Sequence, residues 1–426
     1  MTVFAMFGAE EAVTDRRISV VGLGYIGLPT AVSLAEAGFS VTGIDVDPRV
    51  IEAVNGGRAH IIEPGLEKLL SSMVRKGRLQ ATREYAPADA FLIAVPTPVG
   101  HDEFRTPDLT YVFAAADAIA PVLRAGTLVI LESTSPVGAT RQMLERFRAA
   151  RPDLRFPGPG VDEGEIDVDV VYSPERVIPG RTMEELKTND RVVGGASPRA
   201  ARRAAALYRR VTSGELLITD DRTAEFVKLT ENAFRDVNIA FANELSMVCA
   251  DLDLNVWDVI KLANFHPRVN ILQPGPGVGG HCIAVDPWFI VAQAPERARL
   301  IRTAREVNDS KPRWVMDQIA EMVKLKPQAR IACLGLTFKA NVDDFRESPS
   351  LEIARELTRR FPGQVVCADP FQDMLQQPGD LQLSDVASAY RDADLVVMLV
   401  GHDQFRSLDR PGPERAVIDA CGFWNR

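Results

Sequence analysis

Residues 16–47 read RRISVVGLGYIGLPTAVSLAEAGFSVTGIDVD, and this stretch decides the fold class. A short β-branched run leads into a glycine turn, an apolar stretch with helical spacing follows, and a second β-like run ends at Asp45. This order of elements is that of a βαβ unit. We therefore expect an open, doubly wound α/β sheet that begins with this segment.

The same segment predicts the cofactor. Its glycines follow a strand and precede a helix, so they permit a tight turn and the close approach of a pyrophosphate to the helix N-terminus. The candidate cofactor contacts in the turn are Gly22, Gly24, Tyr25, Ile26 and Gly27. Asp45 would accept a hydrogen bond from a ribose 2′-hydroxyl and repel a 2′-phosphate, which favours NAD over NADP. Arg49 nearby, a further candidate contact, keeps NADP open.

Later segments predict the rest of the fold. The runs at 89–98 and 126–136 are apolar throughout, as parallel strands covered on both faces should be. The stretch 151–167 is rich in Pro, Gly and acidic residues, which predicts a long loop. Residues 223–263 have helical spacing without Pro or Gly, which predicts one long helix and a shorter one, and a second helical block is expected at 296–324.

The last part of the chain repeats the pattern of the first, at 329–339, 364–370 and 392–403. Thr337, Phe338 and Lys339 stand where a dinucleotide turn would have glycines, so this half should bind something else, or nothing. We therefore predict two Rossmann-like doubly wound domains joined by a central helical domain. The predicted parts are an N-terminal extension (1–15), an NAD-binding domain (16–210), a helical domain (211–325) and a second Rossmann-like domain (326–426).

Composition narrows the function classes. The formal net charge of -9 over 426 residues argues against a nucleic-acid partner, which requires a basic surface. No apolar stretch approaches the roughly 20 residues of a membrane-spanning helix, and the first fourteen residues lack the Lys or Arg of a signal peptide. The five cysteines are scattered and show no CxxC spacing, so we expect reduced thiols, a cytoplasmic location and no metal site.

Two short motifs follow predicted strands. VPTP (95–98) and ESTSPVG (132–138) fall at carboxyl ends of strands, where the ligands of doubly wound sheets collect. Thr97, Glu132 and Thr134 are therefore candidates to contact cofactor or substrate. Ordinary strand-ending turns are the alternative.

The stretch GPGVGGHCIAVDPWF (275–289) contains the candidate nucleophile, Cys282. The glycines before it let the backbone pass close to a ligand or adopt a positive φ. The other cysteines lie in helix-like or strand-like runs or in the apolar tail, as structural cysteines do, so we favour a reactive Cys282. A packed cysteine stays open, and a metal ligand is disfavoured because His281 is adjacent and no second ligand pair is in view.

Cys282 and NAD together would permit oxidation of an aldehyde through a thiohemiacetal and a thioester. Such chemistry needs donors for the oxyanion and a base for water. Lys228 and Asn232 are four residues apart on the long predicted helix, and Asp286 follows Cys282 by four. The alternatives are a surface lysine, a solvated asparagine and a helix N-cap, respectively.

The chain resembles the UDP-glucose/GDP-mannose dehydrogenase family over nearly its whole length from residue 17. The motifs that carry the resemblance are GLGYIGLPTA, VPTP, ESTSPVG, YSPERV, KLTENAFRDVNIAFANEL, GPGVGGHCIAVDP and GLTFKANVDDFRESPS. Gly-Gly-His-Cys followed by Val285-Asp286-Pro287 resembles the branch that acts on UDP-N-acetylhexosamines. The resemblance implies UDP-N-acetyl-D-mannosamine as substrate, with UDP-N-acetyl-D-glucosamine as the rival, for the synthesis of a cell-surface polysaccharide.

The resemblance also assigns roles to matching positions. Cys282 would be the nucleophile, Lys228 and Asn232 would stabilise the oxyanion and manage protons, and Asp286 with Thr134 would hold the hydrolytic water. The residues implied around the UDP-sugar, besides Lys228 and Asn232, are Glu175, Arg176, Val177, Arg235, His266, Arg268, Asn270, Gly277, Phe338 and Lys339. Arg346 would reach the cofactor or pyrophosphate. The family forms dimers through its central helices, with the loop arginine at position 268 reaching across, and its C-terminal half binds UDP.

Three hypotheses result. The first is a twofold NAD-dependent oxidation at C6 with Cys282 as covalent catalyst. The second keeps NAD but makes Cys282 structural, as in a one-step hydroxyacid-type dehydrogenase. The third is a nucleotide-sugar-binding regulator without turnover.

Overall fold

The computed structural model describes residues 16–100, 102–103, 105–280 and 282–425. These form two compact units, one ending at Leu229 and the other beginning at Thr230. The extension predicted for residues 1–15 lies outside the described residues, as does His281. The division into three domains stays a prediction.

The described residues of the N-terminal unit form an eight-stranded sheet. Its strands are β1 (Arg17–Val21), β2 (Ser40–Ile44), β3 (Leu79–Thr82), β4 (Ala90–Ile93), β5 (Thr127–Leu131), β6 (Val168–Tyr172), β7 (Arg191–Gly195) and β8 (Leu216–Asp220). Their order is β3-β2-β1-β4-β5-β6-β7-β8, with neighbours parallel except β6 and β7, which run antiparallel. The strand order reverses between β1 and β4, and doubly wound sheets bind ligands at the carboxyl ends beside such a reversal.

Helices cover both faces of this sheet. They are α1 (Gly27–Glu36), α2 (Pro48–Asn55), α3 (Leu66–Arg75), α4 (Thr110–Ile119), α5 (Ala139–Ala150), α6 (Thr182–Thr188) and α7 (Pro198–Tyr208). Successive residues of β4 point to opposite faces, so Leu92 packs into one apolar cluster while Phe91 and Ile93 pack into the other. Each of these buried side chains contributes about 1.5–3 kcal/mol, which is why the sequence of β4 is apolar throughout.

The sheet continues past residue 210, the predicted end of the NAD-binding domain, to β8. Its last strand, β8, carries Leu217 and Ile218 with part of each side chain exposed, as an edge strand does. Helix α8 (Asp221–Asp251) follows β8 without a loop, and α9 (Val256–Ala263) comes next. The prediction of one long helix followed by a shorter one is therefore confirmed.

The C-terminal unit contains a smaller parallel sheet. In its described residues the strands are β9 (Ile331–Leu334), β10 (Val365–Ala368), β11 (Leu395–Met398) and β12 (Ala416–Asp419), in the order β10-β9-β11-β12. Besides most of α8 and α9, its helices are α10 (Asp286–Gln293), α11 (Arg299–Leu325), α12 (Pro349–Arg360) and α13 (Val386–Asp392). The second Rossmann-like half is thus confirmed.

The acid-rich loop within 151–167 has a structural role. Glu163 accepts a hydrogen bond from the backbone amide of Arg199 (2.8 Å), in the first turn of α7. The Arg199 side chain donates back to the carbonyl of Glu163 (2.8 Å) and to Asp169 (3.0 Å). The carboxylate therefore satisfies an amide that the helix leaves without an internal partner.

None of the helices in the described residues is both long enough and apolar enough to cross a membrane.

Candidate active site

The glycines of the turn after β1 differ in what surrounds them. Gly22 has φ +88°, and a Cβ there would lie 2.6 Å from the carbonyl oxygen of Ala94. A Cβ at Gly27 would clash with the carbonyl oxygen of Gly22. At Gly24 a Cβ would meet no heavy atom of the described residues within 4 Å. The fold therefore requires Gly22 and Gly27, whereas Gly24 leaves room for a ligand to approach the backbone.

The start of α1 fits a pyrophosphate. In the described segment 16–100, no side chain caps this helix at Ile26, and its first turn carries no acidic residue. The amides of the first turn and the positive end of the helix dipole therefore favour a bound anion. Tyr25 lies beside them, half-buried.

The acid after β2 is oriented for a ribose. Asp45 accepts hydrogen bonds from the backbone amides of Leu23 (2.8 Å) and Asp47 (2.9 Å), and its side chain is half-buried. The exposed Arg49 forms an ion pair with Asp47 at 2.7 Å, and its hydrogen bonds lower the pKa of that carboxyl to about 2. Because Arg49 is engaged with Asp47, and Asp45 is a carboxylate, the site fits NAD with its free 2′-hydroxyl.

Hydroxyl groups hold the carboxyl ends of β4 and β5 together. Thr97 Oγ1 donates to the carbonyl of Thr134 (2.7 Å), and Ser133 Oγ donates to the carbonyl of Val95 (2.7 Å). Thr97 and Thr134 are half-buried at the end of the sheet where its strand order reverses. Their contacts with cofactor and water stay predictions.

Glu132, by contrast, belongs to a buried cluster that the sequence did not reveal. Its carboxylate accepts hydrogen bonds from Arg191 (3.1 Å) and from the hydroxyl of Tyr208 (2.7 Å), and the residue is 3% exposed. Arg191 also pairs with Glu175, and its guanidinium lies 4.1 Å from the centre of the Tyr208 ring. Both hydrogen bonds are accepted by Oε1, which links Glu132 to the interior of the unit. The expectation that Glu132 contacts a ligand stays a prediction.

Glu175, which pairs with Arg191 in this cluster, also contacts the predicted catalytic lysine. Lys228, on α8, is 8% exposed, and its Nζ donates to the backbone carbonyl of Glu175 at 2.9 Å. The interpretation of Lys228 as a surface lysine is therefore wrong. Arg191 holds the side chain of the same residue, Glu175, whose carboxylate also accepts from the backbone amide of Arg176 (2.7 Å). Val177 follows them, half-buried.

A second buried carboxylate supports the ESTSPVG motif. Glu225, on α8, accepts from the backbone amides of Gly138 (2.5 Å) and Thr140 (2.8 Å), at the start of α5. Burial raises the pKa of Glu225 to about 7, although these hydrogen bonds oppose the rise. Sequence reasoning missed Glu225 because it lies 85 residues from Thr140, and its helical context gives no signal of the contact.

In the C-terminal unit, Cys282 is exposed in a turn that leads into α10. Its carbonyl accepts from the amides of Val285 (3.1 Å) and Asp286 (2.8 Å). All five cysteines lie within the described residues, and the other four are buried. The contrast agrees with the interpretation that Cys282 is chemical and the others are structural.

Asn232 and Asp286 form a buried pair beside this turn. Asn232 Nδ2 donates to Asp286 Oδ2 at 2.5 Å, and the two residues are 9% and 2% exposed. Asp286 is the first residue of α10, and Val285 occupies the cap position, so the interpretation of Asp286 as the N-cap is wrong. The solvated position considered for Asn232 is wrong too. The pair joins a carboxylate of the segment that carries Cys282 to an amide of α8.

The glycines before Cys282 pack against protein. A Cβ at Gly279 would lie 2.6 Å from Cδ of Pro349, and one at Gly280 would lie 3.0 Å from the ring of Phe338. Gly280 has φ +83°, as the sequence suggested. At Gly277 a Cβ would lie 2.9 Å from Pro349. Neighbouring segments of the unit therefore fill the space that a side chain would need at these positions. The contact of Gly277 with the UDP-sugar stays a prediction.

The remaining predicted substrate residues of this unit lie at its surface or near it. His266, Arg268 and Asn270 are exposed in the turn after α9, and Arg235 is exposed on α8. Phe338 is half-buried and Lys339 exposed after β9. Arg346 forms an ion pair with Asp344 at 2.6 Å. Their contacts with UDP-sugar or cofactor stay predictions.

No group of three or more His, Cys, Asp or Glu side chains in the described part of the chain is placed to hold a metal ion. The prediction that the protein uses no metal remains a prediction.

Comparison with known proteins now adds to this geometry. Three models of the UDP-glucose/GDP-mannose dehydrogenase family match: the NAD binding domain at 16–212, the central domain at 222–310 and the UDP binding domain at 332–426. The cofactor is therefore NAD, as the glycine turn and Asp45 predicted.

Individual relatives match over nearly the whole chain. An NDP-N-acetyl-D-galactosaminuronic acid dehydrogenase of Ralstonia nicotianae is 54% identical over 96% of each chain. A UDP-N-acetyl-D-mannosamine dehydrogenase of Salmonella typhi is 52% identical over 96% of this chain and 99% of its own. A solved UDP-D-ManNAc dehydrogenase of Pyrococcus horikoshii is 39% identical, covers 92% of this chain and 91% of its own, and superposes with a TM-score of 0.82. With three matching domain models and such relatives, this chain belongs to the UDP-glucose/GDP-mannose dehydrogenase family.

Proposed function

We propose that this protein oxidises C6 of UDP-N-acetyl-D-mannosamine to the carboxylate in two NAD-dependent steps, with Cys282 as covalent catalyst. The observation that carries the proposal is the setting of Cys282. It is exposed at the start of α10, beside the buried Asn232–Asp286 pair, while the other cysteines are buried. A thiol kept for packing would be buried like the others.

The chain's own groups divide the work. NAD, when bound, accepts one hydride in each of the two oxidation steps. After the alcohol has become an aldehyde, Cys282 Sγ adds to its carbon and forms a C–S bond, giving a thiohemiacetal whose oxidation leaves a thioester. The Lys228 ammonium and the Asn232 amide stabilise the oxyanions. Asp286 takes a proton from the water that breaks the C–S bond and releases the carboxylate and the thiol.

The sugar is assigned from the relatives together with the Cys282 segment. The Salmonella typhi and Pyrococcus horikoshii relatives are named for N-acetylmannosamine. The Ralstonia nicotianae relative, named for N-acetylgalactosaminuronic acid, is 54% identical, so a galacto-configured substrate is the second candidate. UDP-N-acetyl-D-glucosamine, the alternative substrate considered from the sequence, differs from the mannosamine sugar in the configuration at C2.

The test is stoichiometry with a substrate panel. Purified enzyme and excess NAD are incubated with UDP-activated N-acetylmannosamine, N-acetylgalactosamine, N-acetylglucosamine and glucose, and with GDP-mannose. We expect two NADH per UDP-N-acetylmannosamine consumed, and far lower kcat/KM with the other sugars. One NADH per sugar would make Cys282 structural and the enzyme a one-step dehydrogenase. Absence of turnover with every sugar would favour a binding regulator.

We also propose a homodimer. Phe234, Phe241 and Val248 recur every seven residues along α8 and are 68%, 54% and 46% exposed. Seven residues are close to two helical turns, so these side chains form one apolar stripe. A stripe of this kind on a surface is typical of a protein interface. Light scattering should give twice the chain mass, and Phe241→Lys should shift the measured mass toward that of the monomer.

A cytoplasmic location is proposed as well, from the reduced cysteines.

A further inference from the structure

The segment that carries Cys282 is tied to α8 on both sides. Before the cysteine, the backbone amide of Gly275 donates to Asn243 Oδ1 at 2.8 Å. After it, Asp286 Oδ2 accepts from Asn232 Nδ2 at 2.5 Å. The two asparagines are eleven residues apart on one helix, which is about 16 Å along its axis. The helix therefore spans the segment with an amide side chain at each end.

Asn243 is itself held from behind. It is completely buried, and its Nδ2 donates to Asn308 Oδ1, on α11, at 2.9 Å. Asn308 Nδ2 in turn donates to Asp236 Oδ1 at 2.8 Å, and Arg305 donates to the same carboxylate at 2.6 Å. Each amide in this chain uses its oxygen on one side and its nitrogen on the other. Turning the Asn243 amide over would place two donors or two acceptors face to face, so its oxygen is fixed toward Gly275.

Asn243, Asn308, Asp236 and Arg305 form a buried polar array. The packing of two helices does not by itself explain this array. Two packed helices need only an apolar seam, and buried polar groups cost free energy unless every one is paired. Two other polar contacts along α8 do not involve Gly275. Lys311 Nζ donates to Ser246 Oγ at 2.6 Å, and Ser246 Oγ donates to the carbonyl of Asn243 at 2.6 Å. The Lys311 bond joins α11 to α8, and the Ser246 bond lies within α8, whereas the Asn243 side chain also reaches the Cys282 segment.

We propose that Asn243, oriented by Asn308 and Asp236, is a positioning residue that holds the start of the Cys282 segment and thereby places the thiol for attack. The proposal rests on the proposed function of Cys282. It makes the array a support for the nucleophile, acting through the backbone of Gly275.

The experiment compares two buried substitutions on the same helix. Asn243→Ala removes the acceptor of the Gly275 amide, whereas Ser246→Ala removes a buried partner of Lys311 and leaves the Gly275 bond intact. Asn238→Ala is the half-buried control, since that side chain donates to the carbonyl of Phe234 within α8. For each, kcat, the KM for NAD and the melting temperature are measured. In parallel, iodoacetamide labelling of Cys282 is timed by peptide mass spectrometry, which needs no turnover.

We expect Asn243→Ala to lower kcat on the order of tenfold or more, since misplacement of a reacting group by about 1 Å costs up to a hundredfold. Its KM for NAD should stay within about twofold, and its labelling rate should change severalfold. Ser246→Ala should lower the melting temperature while kcat and labelling stay near wild type. Asn243→Asp keeps an oxygen for Gly275, so it should retain more of kcat than Asn243→Ala even where it melts lower.

The outcomes separate the two proposals. Equal labelling rates in wild type and Asn243→Ala, at temperatures where both are folded, overturn the positioning role. So does a loss of kcat that simply follows melting temperature across the three buried variants. If wild type itself produces only one NADH per sugar, the proposed function fails, while the labelling comparison still decides whether Asn243 places the segment.

Discussion

Replacing Arg191 by Met should destabilise the N-terminal unit by about 3–5 kcal/mol, the usual cost of removing one partner from a buried ion pair. The side chains of Arg191 and Glu132 are 6% and 0% exposed, and Arg191 also binds Glu175. Met fills similar volume but leaves two buried carboxylates without their cation. The loss of the contact with the Tyr208 ring adds to this cost.

The matched control is Arg146→Met. Arg146 also pairs with a carboxylate, that of Asp117, and lies 5.0 Å from the centre of the Phe113 ring, but both partners of this ion pair are about half exposed. An exposed pair contributes about 1 kcal/mol or less, so this variant should unfold nearly as wild type does.

The assay must report on the correct unit. All four tryptophans lie beyond residue 229, so their fluorescence follows the C-terminal unit. Hydrogen exchange in peptides from β5 to β7, followed by mass spectrometry, gives the local opening free energy around Arg191. Activity should fall as well, because Arg191 holds the residue whose carbonyl accepts from Lys228.

The destabilisation should depend on pH. In wild type, burial raises the pKa of Glu132 and Arg191 partly offsets the rise, so removing Arg191 raises that pKa further. A carboxyl with a raised pKa favours the folded state when protonated, and this contribution is lost as pH rises through the folded pKa. The loss of unfolding free energy caused by Arg191→Met should therefore be smaller at pH 5 than at pH 8. Equal opening free energies for the Arg191 and Arg146 variants would refute the reasoning.

Three further outcomes are expected. Gly24→Ala should fold as wild type does but bind NAD more weakly by calorimetry, whereas Gly27→Ala should lower the melting temperature, because its Cβ would clash with a carbonyl. Asp45→Ala should narrow the preference for NAD over NADP, measured as the ratio of kcat/KM values, and an unchanged ratio would contradict the ribose assignment. Burial raises the pKa of Glu225 from its ordinary 4.5 to about 7, so its contribution to stability is present at low pH and is lost between these values. Glu225→Gln should remove that loss, at most about 3 kcal/mol, from unfolding curves measured between pH 5 and pH 8.

Much of the fold follows from local sequence. The run Ala90–Ile93 is apolar throughout because both faces of β4 are covered, and the turn at Gly22 needs a positive φ, so the sequence states both requirements directly. The orientation of β7 has no such signal. It runs antiparallel to β6, and this reversal brings Arg191 to the end of the sheet where Glu132 and Glu175 lie.

The site was predictable where its residues sit in one short motif and less so where they meet over distance. Cys282 and Asp286 share one segment, so their proximity could be inferred from spacing. The buried state of Lys228 depends on the carbonyl of Glu175, 53 residues away, and the contact of Asn243 with Gly275 spans 32. Spacing on a helix specifies the face of a side chain but leaves the partner of that face undetermined.

The turns after β1 and β9 have a similar geometry, but the acid beside each turn has different contacts. Asp369 after β10 accepts from the amide of Leu336 (2.6 Å), as Asp45 after β2 accepts from Leu23, and Gly335 has φ +83° where Gly22 has +88°. Asp45 is half-buried, whereas Asp369 is 2% exposed, and His402 Nε2 lies 3.2 Å from its carboxylate.

His402 closes the position that a ribose would need. Its Nδ1 accepts from the amide of Asn341 (3.1 Å), so the ring proton lies on Nε2 and is donated toward Asp369. The absence of glycines at Thr337 to Lys339 is therefore only part of the reason that this half differs from a dinucleotide domain. The acid that would bind the ribose is still present, but a buried histidine occupies its hydrogen-bonding capacity, so glycines alone would not restore the site.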